Sequence, residues 1–261
     1  MKIYKTNFPG CKKNELISEL KKFSKIFKDR PIKNNKGGMR FEHMFATYFI
    51  LKKVRPPVVI ESGVFKGQST WLIEKTLPKS KIISIDIDLK QRKYISKNAK
   101  YSNLDFKYHD FSNLPSNSLV FFDDHVSHME RIQQAKFFNI KNIILEDNYR
   151  SHKGDFYTLN HALKNSGFNH KLGKLSLFKT FFLFFKEFLK KLFFSQYYFS
   201  IDILKSRIRD VKPQKNDRNN LVNIIDIYFE FPSVRKIISK KMNIPLGELK
   251  SYNYITYLRL L

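Results

Sequence analysis

Four places in this chain combine residue types that could do chemistry, and each follows a short apolar run. The first is Glu61-x-Gly63-x-x-x-Gly67-x-Ser69, directly after Val58-Val59-Ile60. A glycine turn between a strand and a helix lets backbone approach a ligand and aims free N–H groups at its polar end. The second is Asp86, which ends the run Lys81-Ile-Ile-Ser-Ile. A carboxylate at such a strand end can accept both hydroxyls of a ribose. The third and fourth are Asp123-Asp124-His125 and Glu146-Asp147-Asn148. Neighbouring strand ends would bring these acidic pairs within reach of one divalent ion. Without compensation, carboxylates at close range raise one another's pKa. The combination points to a nucleoside-containing cofactor beside an acidic cluster.

The elements that must hold these residues can be read from the pattern. Pro56-Pro57 punctuates the entry to the first strand, and Trp71-Leu72-Ile73 continues a helix after the glycines. Residues 90–100 are expected as a polar helix and 104–108 as a third strand, leading to His109-Asp110. Residues 118–122 form a fourth strand, 129–138 a helix capped at Asn139, and 142–145 a fifth strand. Strands alternating with helices predict an α/β fold with a doubly wound, mostly parallel sheet. In such sheets ligands collect at the carboxyl ends of the strands, where every carboxylate just named falls. Helical spacing at 14–28 and 41–52 makes residues 1–55 a helical lead-in. Residues 56–261 then form the main domain. Two late strands, 224–231 and 252–260, are expected as an antiparallel edge pair, with a helical insertion over about 172–220 before them.

The segment from Val58 to Tyr149 resembles the class I S-adenosylmethionine-dependent methyltransferases. More narrowly, it is similar to the metal-assisted small-molecule O-methyltransferases of the catechol and macrolide-sugar types. The resemblance implies that Gly63 and Gly67 admit the methionine part of the cofactor and that Ser69 holds its carboxylate. It places Glu61 towards the cofactor's amino-acid moiety or the glycine loop, Asp86 on the ribose and Asp110 on the adenine amino group. It makes Asp124, Asp147 and Asn148 the ligands of Mg²⁺, with Asp123 and Glu146 as substitutes if the register slips by one. A metal there would lower the pKa of an acceptor hydroxyl. Where the catechol-type enzymes carry a lysine base this chain has Ser127, so His128 or His125 becomes the candidate base. Arg131 could clamp an anionic substrate or pair with Asp124, and Tyr149 and Arg150 could border the acceptor pocket. Lead-in segments of related enzymes fold over the cofactor, which makes Met39 and Arg40 candidate lid residues. The implied acceptor is a small hydroxylated molecule or a sugar. The rival reading is a non-catalytic module that keeps the fold and associates with a membrane or RNA.

Composition narrows the partners. With 49 Lys+Arg against 23 Asp+Glu the chain carries a formal +26 over 261 residues, a field that favours anionic partners. Hydrophobic content of 42% argues against disorder. A single cysteine, Cys11, excludes an internal disulfide framework and fits a reducing compartment. The first residues hold no apolar run of signal-peptide length, and no run reaches about 18 apolar residues, so a cytoplasmic protein is expected. Within 175–194, Phe178, Phe181, Phe182, Phe185 and Leu189 recur at helical steps with lysines opposite. That amphipathic helix could pack on its own sheet, form a contact between copies of the chain, or lie on an anionic membrane. It does not read as a nucleic-acid surface, because its aromatics and lysines are not interleaved.

Overall fold

The computed structural model describes residues 1–4, 8–151, 153–167, 216–237, 249 and 252–261. The aromatic-basic helix and most of the expected insertion lie outside these residues. Eight strands form one sheet: β1 (Lys2–Tyr4), β2 (Val58–Ser62), β3 (Lys81–Ile85), β4 (Ala99–Ser102), β5 (Leu119–Phe122), β6 (Asn142–Asn148), β7 (Ile225–Glu230) and β8 (Tyr254–Leu260). Their order is β1-β7-β8-β6-β5-β2-β3-β4, and every pairing is parallel except the two that β8 makes. The doubly wound, mostly parallel sheet is the expected fold class. One detail differs: β7 is not half of an antiparallel edge pair. It pairs in parallel with β1, and only β8, inserted between β6 and β7, runs against the rest.

Period-two alternation in the central strands divides the core in two. Val59, Leu119, Phe121, Ile144 and Tyr257 face α1 (Lys13–Ile26), α2 (Phe41–Val54) and α3 (Gln68–Thr76). Their neighbours Ile60, Val120, Phe122, Ile143, Leu145 and Leu258 face α4 (His128–Phe137), α5 (Leu159–Leu163) and α6 (Asp217–Ile224). Helix α2 is buried continuously from Phe41 to Leu51 and ends where Arg55 turns left-handed ahead of Pro56-Pro57, which cannot continue a helix. A short helix, α7 (Val234–Ile237), follows β7. No helix among the described residues is long and apolar enough to cross a membrane.

Three local expectations fail. Residues 90–100 contain no α-helix, only a 3-10 turn at Leu89–Gln91 and then β4. The third strand is therefore Ala99–Ser102, and Phe106–Tyr108 within the expected strand is a 3-10 turn. Residues 217–220, expected as the end of the insertion, open helix α6, which runs on to Ile224, the expected first residue of a late strand.

Candidate active site

The turn after β2 is shaped by two close backbone approaches. Gly63 (φ 99°) and Gly67 (φ 86°) are left-handed; a Cβ on Gly63 would overlap the Asp123 carbonyl, and one on Gly67 the Tyr94 carbonyl. Asp86 braces the turn. Its Oδ2 accepts the N–H groups of Val64 and Phe65, both at 2.8 Å, and its Oδ1 accepts that of Asp88 at 2.9 Å. A cavity of about 320 Å³ opens here, lined among others by Gly37, Gly63, Phe65, Asp86, Asp105, Asp123, Asp124 and Arg131.

Four expected cofactor contacts, Glu61, Gly67, Ser69 and Asp110, do not line this cavity. Glu61 is fully buried behind the turn, where Thr70 and Ser84 donate to its Oε2 at 2.7 and 2.6 Å; burial pushes its carboxyl up. Ser69, buried, lies against the same carboxylate. These two tie the start of α3 to β2 and β3. Asp110 is exposed and caps Ser112, because the third strand ends at Ser102, six residues before its expected end at 108. Asp105 lines the cavity instead.

The two acidic strand ends are sorted by the alternation of the sheet. Asp124 continues the face of Phe122 and Val120, towards α4, and meets Arg131. The Arg131 guanidinium, 1% exposed, places Nε 2.9 Å from Asp124 Oδ2 and both terminal nitrogens on Asp105, at 3.0 and 2.8 Å. Ser62 Oγ donates to Asp124 at 2.5 Å. Asp124 is thus a buttress, not a free ligand. Asp123 continues the face of Phe121, towards α2. The β5–β6 register pairs Phe122 with Leu145, so the next rung sets Asp123 beside Glu146, and their carboxyls share a hydrogen bond. Burial raises both, Asp123 to about 7 and Glu146 well above its ordinary value. Asp147, left-handed at φ 53°, accepts the Tyr149 hydroxyl at 2.7 Å. His43 of α2 reaches in, its Nε2 3.9 Å from Glu146 Oε1, and ligand atoms of His43, Glu146 and Asp147 lie within 4.8 Å of one another. Asn148, fully buried, is turned away by the irregularity in β6; it donates to Thr256 and accepts from the Asn160 N–H.

The set Asp124, Asp147, Asn148 is therefore not assembled. The carboxylates that converge are Asp123, Glu146 and Asp147, one residue back on each strand.

Neither histidine fits the expected base. His128 is buried, with Nδ1 accepting the Leu159 N–H at 3.2 Å and Nε2 donating to the Glu146 carbonyl at 3.0 Å; burial holds it at about 3. Both nitrogens are spent on backbone. His125, half-exposed and left-handed, pairs with Asp155 at 3.3 Å, which raises it to about 9 and keeps it protonated near neutral pH. Arg150 donates to the Tyr254 hydroxyl. Sequence reasoning missed His43, although a histidine inside the apolar run Phe41-Glu-His-Met-Phe45 was the available signal.

No protein-family model matches this sequence, and no curated protein matches it. Solved structures do. CmcI in its apo form is 17% identical over 41% of this chain and 52% of its own, with a TM-score of 0.37. The chain thus spans about half the length of that protein. The methyltransferase PaMTH1 of Podospora anserina, bound to S-adenosylhomocysteine, is 10% identical over 94% of this chain and 87% of its own, TM-score 0.45. Human N-acetylserotonin methyltransferase, in complex with S-adenosylmethionine, is 10% identical over 95% of this chain and 56% of its own, TM-score 0.42. Likeness at this level transfers no residue role to this chain.

Proposed function

We propose that this protein is an S-adenosylmethionine-dependent methyltransferase that methylates an oxygen of a small hydroxylated or sugar acceptor, with a divalent cation at Asp123, Glu146 and Asp147. One observation carries the reading: a glycine turn braced by Asp86 shares a cavity of about 320 Å³ with Asp123, whose carboxyl lies beside Glu146 and near Asp147, all at the carboxyl ends of parallel strands. The carboxylates supply oxygen donors, which suit Mg²⁺, and the His43 imidazole beside Glu146 and Asp147 adds a nitrogen. A doubly charged ion would also relieve the repulsion within the cluster. His43 and the Asp147–Tyr149 contact border the ion site.

The cofactor supplies an activated methyl group, and the cation would acidify the acceptor hydroxyl. The chain's own residues do the positioning. Asp86 spends its oxygens on three backbone N–H groups, which leaves about one of its roughly four acceptor directions for a ligand hydroxyl. Arg131 holds Asp105 and Asp124 apart as fixed walls of the cavity, so a bound ligand meets a preformed site. His128, neutral, fixes the backbone of Glu146 and thereby the aim of its carboxylate.

Calorimetry with S-adenosylhomocysteine, followed by Mg²⁺ and Mn²⁺ with that ligand present, tests the reading. The parent should bind the nucleoside at micromolar concentration. Asp86→Ala should weaken it by at least about tenfold, 1.4 kcal/mol. Asp123→Asn should abolish the metal heat and spare nucleoside binding. A parent that binds no S-adenosylhomocysteine at millimolar concentration is the non-catalytic module instead.

A further inference from the structure

The loop over residues 30–40 is fastened to the glycine turn: Lys66 donates to the Lys36 carbonyl at 3.0 Å, Gln68 accepts the Ile32 N–H at 3.2 Å, and Gly37 packs on the Phe65 ring. Gly37 and Gly38 face the acidic cavity described above. The rest of the loop lines a second cavity of about 490 Å³. Met39 and Arg40, expected as a lid on the cofactor, belong to this second cavity. The charged residues lining it are Arg30, Lys33, Lys36 and Arg40, and no carboxylate lines it among the described residues. Lys33 Nζ donates to the Lys28 carbonyl, a neutral acceptor. Lys36 and Arg40 have no carboxylate partner among the described residues. Phe27, Met39 and Met44 supply an apolar floor, and the buried Asn35 Oδ1 has no hydrogen-bond partner.

Position gives this cavity a role. Arg40 is the residue before α2, and His43, one turn on, is the side chain that reaches Glu146. Arg40 is the extended N-cap of this helix, and His43 stands in the first turn that follows it. A ligand anchored at Arg40 would therefore need only a short reach to the carboxylate cluster.

We propose that the basic cavity binds an anionic group, phosphate or carboxylate, carried by the methyl acceptor. Arg40 and Lys36 donate charge-assisted hydrogen bonds to it. An acceptor with an anion at one end and the reacting hydroxyl at the other is oriented by two cavities of opposite sign, with the 30–40 loop as the wall they share. The inference rests on the methyl-transfer reading for the identity of the ligand. The same chemistry has a second source, the carboxylate of the cofactor itself.

Inorganic phosphate, titrated at constant ionic strength without divalent metal, is the test. The parent should bind it saturably, and Lys36→Gln/Arg40→Gln should weaken it by at least about tenfold, a typical loss for charge-assisted contacts. Arg40→Lys should recover part of that loss, and the surface control Lys81→Gln/Lys100→Gln should none of it. The double variant should bind S-adenosylhomocysteine and 5′-methylthioadenosine as the parent does. Loss of S-adenosylhomocysteine binding alone, with methylthioadenosine unaffected, assigns the cavity to the cofactor's carboxylate and overturns the proposal. No phosphate binding by the parent, or equal loss in the control, overturns it too. If the parent binds phosphate but no S-adenosylhomocysteine, the methyl-transfer reading fails and the anion site stands.

Discussion

Asp123 and Asp124 are adjacent, as chemically alike as two residues can be, and the sheet sends them to different tasks. Asp124 turns towards α4 and is closed into a lattice with Arg131, Asp105 and Ser62. Asp123 turns towards α2 and shares a corner with two more carboxylates. The histidines that follow divide in the same way. His128 is neutral, buried and bonded at both nitrogens, whereas His125 is half-exposed and charged. One half of this short segment is closed into bonds that hold the fold together, and the other half sets carboxyls side by side. A buried charge with a partner is structure, whereas buried carboxyls crowded together raise one another's pKa.

The comparison can be broken most severely at the buttress. Asp124→Ala leaves the Arg131 guanidinium with Asp105 as its one remaining carboxylate, beside the neutral Gln134 acceptor, in an almost water-free place, and should cost about 3 kcal/mol in urea unfolding. A loss under about 1 kcal/mol would make Asp124 as dispensable as a surface acid.

His128→Ala should cost somewhat less, about 2 kcal/mol, by orphaning the Glu146 carbonyl and the Leu159 N–H. It also carries a pH signature. Burial depresses this ring to about 3, so the stability it contributes is complete above its unfolded pKa of about 6.5 and is lost as pH falls towards 3. The acid limb of the parent's stability curve should be shallower in the variant; parallel limbs would show that His128 does not titrate this way.

The smallest effect has the opposite sign. Glu146→Gln abolishes an ionisation that burial and the neighbouring carboxyls oppose, and should stabilise the metal-free protein by about 1 kcal/mol at alkaline pH, where the native carboxyl is charged, roughly one pKa unit of relieved repulsion. Thermal melts in chelator read this directly. Destabilisation there would mean that Glu146 is a buttress like Asp124.

Much of this was legible in the sequence. β2, β3, β5 and β6 are short apolar runs with turn residues after them, and the glycine spacing announced its own backbone demands. β4 was not legible, because Ala99-Lys-Tyr-Ser is a half-polar edge strand, while Leu104-Asp-Phe-Lys-Tyr reads as more strand-like and folds as a turn. Misplacing β4 put the expected carboxylate at Asp110, which is exposed, whereas Asp105 is the one that lines the cavity. The acidic doublets failed for another reason. With a carboxylate at both positions, nothing in Asp123-Asp124 says which faces α2, and a slip of one residue exchanges the faces. Arg131 was expected as a possible partner of Asp124 and is one. His43 stands 103 positions from Glu146 in a different element, and only the folded chain brings them together.

Gly63 has a mechanical consequence. Because its missing side chain is what allows the Asp123 carbonyl to rest against the turn, and because the Asp123 N–H is bonded to the Ser62 carbonyl at 2.7 Å, the two strand ends meet as a joint with no slack. The glycine turn and the acidic corner are therefore one rigid piece. Whatever shifts the first carries the second with it, so the spacing between the glycine turn and the acidic corner is set by the backbone and not by side chains.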